Sequence, residues 1–106
     1  MKAIATPTEF ALGQNYPNPF NAVSHIRYSV SSPSRVMLVI YDLLGREVAI
    51  LVNKPHRPGR YTATWRGRDK DGVPVASGIY FYRIEMRNPS DGGLNFSHTR
   101  KMLILK

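Results

Sequence analysis

Hydrophobic and polar residues alternate along most of this 106-residue chain. In "SHIRYSV", Ile26, Tyr28 and Val30 are separated by other, mostly polar residues, and "RYTATW" and "IYFYRIEM" repeat the pattern. A period of two is typical of antiparallel strands that bury one face. "VMLVIY", residues 36–41, is apolar at every position, so it predicts a central strand.

Turn signals rich in Gly, Pro, Asn and Asp separate these segments. The segments predict seven strands: 8–13, 23–30, 35–42, 46–52, 59–66, 78–87 and 94–105. No stretch of ten residues keeps a helical spacing, and Gly45 interrupts the one candidate, "LLGREVAILV". The predicted fold class is therefore all-β, an antiparallel β-sandwich of about seven strands.

Aromatic residues gather in two of the later strands, and alternation decides how they are interpreted. They are Tyr61, Trp65, Tyr80, Phe81 and Tyr82. Exposed in a row, such rings would form a platform for sugars. At alternating positions that face inward they are more typical of a core, and Trp65 has the position of a sandwich's central aromatic residue.

The chain is strongly basic, because it has 15 Lys and Arg but only 7 Asp and Glu, which gives a net charge of +8. Such a surface attracts phosphates, anionic glycans and anionic membranes. The densest group of cations, in residues 57–70, is interpreted as a solvated face. Nucleic-acid binding is disfavoured, because strand alternation separates the arginines from the aromatic rings that would stack on bases.

The sequence carries no catalytic pattern. There is no cysteine and no apolar run long enough to span a membrane. The three histidines lie on separate predicted elements, without a nucleophile elbow or zinc spacing. We therefore expect no enzyme activity, no cofactor and no metal. "DKDG", residues 69–72, resembles the start of a calcium loop but is interpreted as a tight turn with Gly72 at positive φ.

The hook, "QNYPNPFN" at residues 14–21, has two prolines and two aromatic residues within eight positions. Because the residue before a proline is driven to an extended conformation, residues 16–20 are predicted to form a stiff extended arm. Tyr16 and Phe20 are expected to plug the open end of the core.

Four segments carry a resemblance to a known family. In chain order they are "LGQNYPNPFN", "YDLLGREVAILV", "PGRYTATWRGRDKDGVPVASGIYFYRI" and "TRKMLILK". On these motifs the chain resembles the type A C-terminal sorting domain of the type IX secretion system, also called the Por secretion system. It is also similar to the immunoglobulin-like domain of the flagellar hook-capping protein family. The resemblance implies an immunoglobulin-like sandwich over residues 12–106, with 1–11 as linker and possible first-strand residues.

The resemblance also implies a function. Sorting domains of this type are non-catalytic tails of larger secreted proteins of Bacteroidetes and related phyla, so the cargo would precede residue 12 and Lys106 would end the protein. The outer-membrane machinery reads the tail as an export address, and a sortase-like protease commonly cleaves it and attaches the cargo to the cell surface. The implied location is secreted or cell-surface, reached through the periplasm.

Particular residues match the family's motifs or are expected to meet a receptor. They are Pro17, Asn18, Pro19 and Phe20; Leu44 and Gly45; Gly78 and Tyr80; and Arg100, Lys101, Met102, Leu103, Leu105 and Lys106. The last strand is expected on the sandwich edge, where its unpaired backbone groups would accept a receptor strand. Its cations, Arg100, Lys101 and Lys106, would steer it to an acidic receptor.

Two other functions stay open at this point. One is a structural interaction domain like that of the hook-capping relatives, and the other is a carbohydrate-binding module. The sequence does not identify the cargo, the receptor contacts or the oligomeric state.

Overall fold

The computed structural model describes residues 6–106, so residues 1–5 of the predicted linker lie outside the described part. The described residues contain seven strands and no helix, as the alternation predicted. The strands are β1 (Ala11–Leu12), β2 (Ser24–Val30), β3 (Ser34–Tyr41), β4 (Glu47–His56), β5 (Gly59–Trp65), β6 (Gly78–Arg87) and β7 (Leu94–Ile104). No helix able to cross a membrane occurs in residues 6–106.

The strands form two antiparallel sheets that pack face to face. One sheet has the order β1-β2-β5 and the other β4-β3-β6-β7. In the second sheet Leu38 lies opposite Ile84, and Tyr82 lies opposite Arg100. This architecture is the immunoglobulin-like β-sandwich that the sequence predicted.

The core lies between the inward faces of the two sheets. Its largest fully buried side chains include Tyr82, Ile26, Leu38, Ile40, Ile84, Met86, Met102 and Ile104. Trp65 is buried in the core as predicted, but at the end of β5 and not at the centre of the sandwich, with its ring centroid 5.6 Å from that of Tyr80. The indole N–H donates a 2.9 Å hydrogen bond to the carbonyl oxygen of Arg68, so the polar end of the ring is satisfied.

The prediction that "VMLVIY" forms a central strand is confirmed, because β3 lies between β4 and β6. Val39, which points away from the core, is still only 3% exposed. The outer face of this sheet is therefore partly apolar, unlike the polar outer face that most antiparallel strands present.

The assignment of Phe81 to the core was wrong. Because side chains alternate along β6, Tyr80 and Tyr82 point into the core and Phe81 points to the outer face of the sheet, where it is half-buried. There it lies opposite Tyr41 of β3. Tyr61 is also only half-buried, although it packs against the core.

Two strand boundaries differ from prediction. β1 is two residues long, not six, because the chain bends at residues 8–9. β4 continues to His56, past the predicted end at 52 and through Pro55. An edge strand tolerates proline because one side of its backbone needs no donor for the ladder, and β4 is such an edge.

The "DKDG" segment is a turn, as interpreted. The Asp69 Oδ1 accepts hydrogen bonds from the backbone N–H groups of Asp71 and Val73, at 2.9 and 3.0 Å. Gly72 has φ of 81°, a conformation in which a side chain is strained. The described residues hold no cluster of three or more metal-ligating side chains.

Candidate recognition surface

The hook is bent, so the prediction of an extended arm was wrong. Residues 17–19 are bends, and the Tyr16–Pro17 and Asn18–Pro19 peptide bonds are both cis. The rule that a residue before proline is extended describes the backbone dihedrals of that residue only. It carries no information on the isomer of the following bond, and cis X–Pro bonds typically lie in tight turns.

The start of the hook is anchored to both sheets. Tyr16 and His25 of β2 exchange two backbone hydrogen bonds of 2.9 and 2.8 Å. Asn15 is 2% exposed; its backbone N–H donates to the Tyr82 hydroxyl at 2.8 Å and its side-chain amide donates to Ser24 Oγ at 2.8 Å. Neither Asn15 nor Ser24 was predicted as a site residue, because a single polar residue before the prolines or at the start of a strand does not indicate a buried hydrogen bond.

Of the two predicted plugs, only Phe20 is one. Phe20 is 3% exposed, and its ring meets Trp65 edge-on with centroids 5.7 Å apart. Tyr16 is 40% exposed and lies outside the core. Its ring contacts His25 and carries the Arg27 guanidinium 4.7 Å above its centroid, a cation–π contact.

The end of the hook covers the edge of β7. Phe20 N–H donates to the carbonyl oxygen of Leu103 at 3.1 Å, and Leu105 N–H donates to that of Phe20 at 2.9 Å. The Leu103 N–H donates to Asn18 Oδ1 at 3.0 Å. β7 is an edge strand as predicted. The expectation of free backbone groups in its terminal segment was wrong, because the hook occupies them.

The predicted site residues fall into two groups. Tyr80 and Met102 are buried in the core, and Arg100 is half-buried with Nε donating to the Leu12 carbonyl oxygen at 2.7 Å. These three side chains therefore have structural contacts. The exposed group is Pro17, Asn18, Pro19, Leu44, Gly45, Lys101, Leu105 and Lys106, with Leu103 half-buried. Gly78, at φ of 148°, begins β6.

Two of the predicted residues, Pro19 and Leu103, meet four apolar side chains that were not predicted as site residues, on the outer face of the four-stranded sheet. We call this surface the apolar strip, and it consists of Pro19, Tyr41, Leu43, Ile79, Phe81 and Leu103. Strand register joins it: Tyr41 lies opposite Phe81, and Ile79 opposite Leu103. One depression of about 340 Å³ lies between Tyr41, Leu43 and Phe81. A second, of about 290 Å³, lies between Pro19, Ile79 and Leu103.

The hairpin tip that carries Leu43 is held by Asp42. Its Oδ1 accepts hydrogen bonds from Leu44 N–H and Arg46 N–H at 2.9 and 3.0 Å, and its Oδ2 forms a 2.8 Å ion pair with Arg46 Nε. The Arg46 N–H, followed by the other donors, lowers the pKa of Asp42 below its ordinary value. The ionised carboxylate thus orders the turn, and Gly45 supports it at φ of 79°.

Charges around the strip are unevenly paired. Arg83 and Arg87 share Glu85, at 3.5 and 3.0 Å. Lys101 and Lys106 form no ion pair with any acidic group in residues 6–106. Lys101 lies opposite Phe81 in the sheet, so an unpaired cation borders the apolar strip.

A second aromatic group lies at the far end of the sandwich and was not foreseen. His56, 7% exposed, lies 2.7 Å through Nε2 from the Tyr28 hydroxyl, and its ring packs edge-on against Tyr61. Burial, followed by the nearby Tyr61, raises the pKa of Tyr28 to about 12. Every buried side-chain polar atom of the described residues has a hydrogen-bond partner, so this group is part of the packed structure.

Two solved structures resemble this chain over most of its length. The dimeric latent PorU from Porphyromonas gingivalis matches 99% of this chain with 25% identity and a TM-score of 0.73. PorZ, described as an essential surface component of the type IX secretion system of the same bacterium, matches 92% with 18% identity and a TM-score of 0.48. This chain spans 10% of the PorU chain and 11% of the PorZ chain. A search of curated protein sequences found no match.

The family comparison covers residues 21–90, which match the FlgD Ig-like domain family. The matched segment runs from the end of the hook through β6 and so includes most of both sheets. The chain therefore belongs to the FlgD Ig-like domain family.

Proposed function

We propose that this chain is the export address of a larger secreted protein, read by the type IX secretion machinery for outer-membrane translocation and cell-surface attachment. Its partners are the outer-membrane components of that machinery and a sortase-like protease, and its cargo precedes it. The domain itself is non-catalytic, and the mature protein is secreted or held at the cell surface after passing through the periplasm.

One observation carries the proposal. Residues from three motifs that are far apart in sequence, the hook, the β3–β4 hairpin and the terminal segment, meet on one exposed face. Core packing alone gives no reason for such a convergence of exposed apolar side chains. The likeness to PorU over 99% of this chain agrees with the resemblance of the motifs to a Por secretion domain.

A reporter fusion tests the proposal. A periplasmic reporter with its own signal peptide is placed before this chain and expressed in Porphyromonas gingivalis. We expect the reporter in the medium or on the cell surface, and the same reporter without the chain in the periplasm. Retention of a folded fusion in the periplasm would contradict the proposal.

A structural interaction domain is the second candidate, and the family match is the observation that favours it. Such a domain packs on a partner and needs no export machinery. The full-length gene separates the two functions, because a signal peptide followed by a large cargo region supports sorting, whereas a flagellar operon supports the structural role.

A carbohydrate-binding module is not favoured. Trp65 and Tyr82 are buried at 3% and 0% exposure, so the rings that would have made a sugar platform face the core.

A further inference from the structure

The hook covers the outer backbone edge of the terminal segment, and this limits how a receptor can bind that segment. An added strand would need the outward backbone groups of Leu103 and Leu105, which already bond to Asn18 and Phe20 of the hook. Phe20 is also packed on Trp65. Strand addition at residues 103–105 would therefore have to break three hydrogen bonds and expose a buried ring, at a cost that a new strand would not recover.

The terminal segment nevertheless presents side chains to solvent. Lys101 is exposed, Leu103 is half-buried, and Leu105 is 52% exposed. Because strand side chains alternate, Lys101 and Leu103 share the outer face of the sheet, whereas Met102 and Ile104 fill the core. A partner that binds this segment therefore contacts its outward side chains and not its backbone edge.

That face is continuous with other exposed apolar side chains. Leu43 is 64% exposed and Ile79 36%. Phe81 links them, because it borders the same depression as Leu43 and lies two residues from Ile79 on the same face of β6. Two shallow depressions along the strip are suited to apolar side chains of a partner. Contiguous apolar surface with a polar border is typical of protein–protein interaction sites.

Charge selects the kind of partner. The chain carries a net charge of +8, so a second copy would bring two strongly basic surfaces together. Lys101 and Lys106 have no acidic partner among residues 6–106. Carboxylates on the occupant would pair with these lysines and increase the rate of encounter.

We propose that the terminal segment is read from its outer face, by a protein surface with an apolar centre and a carboxylate border that seats on the apolar strip and pairs with Lys101. This inference rests on the proposed function and names the chemistry of its receptor. Pro19 and Leu43 would be read together with the terminal segment, so recognition would require the folded domain and not the tail alone.

Photocrosslinking tests the contact without depending on secretion. The photoreactive amino acid benzoylphenylalanine is placed at position 43 or 79 of the reporter fusion, and as a matched control at position 94, where Leu94 is 50% exposed at the start of β7. We expect adducts from 43 and 79, and not from 94, to an outer-membrane type IX component through a peptide that contains Asp or Glu. Equal adducts from all three positions, adducts to a second copy of the chain, or no adducts would overturn the inference.

Charge and polarity variants give the second readout. We expect Leu43→Glu to reduce reporter secretion about tenfold by placing a charge in the apolar contact, and Lys101→Glu to do the same by repelling the receptor's carboxylates. Leu94→Glu and Lys54→Glu make the same changes at exposed positions off the strip and should secrete like the wild type. Circular dichroism checks that all four variants are folded.

The two proposals fail in different ways. If the Lys101→Glu fusion is secreted at the wild-type level, the apolar strip is not the docking surface, and the proposed export role still stands. If the wild-type fusion itself stays in the periplasm, the export role fails, and the crosslinks from positions 43 and 79 still decide whether the strip is a docking surface.

Discussion

Phe20 joins the hook to the core, because its ring is 3% exposed and packs edge-on against Trp65. We expect Phe20→Ala to lower the free energy of unfolding by about 3 kcal/mol, from lost burial and the cavity that remains. Urea unfolding followed by Trp65 fluorescence measures this value, since Trp65 is the one tryptophan of the chain.

Tyr16→Ala is the matched control for that change. Tyr16 is 40% exposed and its main contacts are Arg27 and His25, so its loss should cost less than about 1 kcal/mol. Equal losses in the two variants would contradict the unequal roles of the rings. The sequence predicted both rings as plugs, and this was wrong for Tyr16, because the position of each ring depends on how the chain bends at residues 17–19.

Asp42 makes the β3–β4 hairpin sensitive to acid. Its pKa lies below the ordinary value of 3.8, first because Arg46 N–H donates to the carboxylate. A lowered pKa in the folded state stabilises the protein above the unfolded pKa, and this contribution disappears as the pH falls through the folded value.

We therefore expect Asp42→Ala to be less stable than the wild type at pH 7, and the difference to shrink below about pH 4. Chemical unfolding of both proteins from pH 7 to pH 2.5 measures it. A difference that stays constant over this range would show that the charge of Asp42 does not contribute. The "DLLG" pattern predicted the turn, but it did not predict that Asp42 accepts hydrogen bonds from the N–H groups of Leu44 and Arg46.

Side chains at the end of β7 alternate between the core and the outer face of the sheet. Met102 and Ile104 are 1% exposed and belong to the core, whereas Lys101 and Leu103 lie on the outer face. Removing residues 100–106 would delete both sets of side chains at once, so a loss of export in such a truncation would not distinguish a lost signal from a lost fold.

We expect the truncation of residues 100–106 to lower the free energy of unfolding by at least about 4 kcal/mol, since two buried aliphatic side chains are lost. Thermal unfolding by circular dichroism compares it with the full chain, and Lys101→Glu serves as a control that changes the segment without touching the core. An unchanged melting temperature in the truncated chain would mean that the terminal segment is not part of the core.

The pattern of apolar residues and turn signals predicted five of the seven strands to within one residue at each end. It failed at β1, where only two residues pair, and at β4, where an edge position tolerates Pro55. It also missed the cover over β7. The bridge between Phe20 and Ile104 joins residues far apart in sequence, and no local pattern records such a pairing.

At the scale of the whole molecule, the segment before the hook closes the side of the sandwich between the two sheets. Leu12 is buried, and its carbonyl oxygen accepts a hydrogen bond from Arg100 of β7. Phe10 stacks on Phe96 with ring centroids 6.0 Å apart and packs against the core. The motifs placed the domain boundary at residue 12, but these contacts lead us to propose that the folded unit begins before residue 10.

A chain that starts at residue 12 tests this boundary. Without Phe10 and the pairing of Ala11 with Ser29, we expect the free energy of unfolding to fall by about 2 kcal/mol. Phe10→Ala in the full chain should account for most of that loss, because the ring is the larger of the two contacts. If the shortened chain unfolds at the same urea concentration as the full chain, the boundary lies at residue 12, and the residues before it are linker.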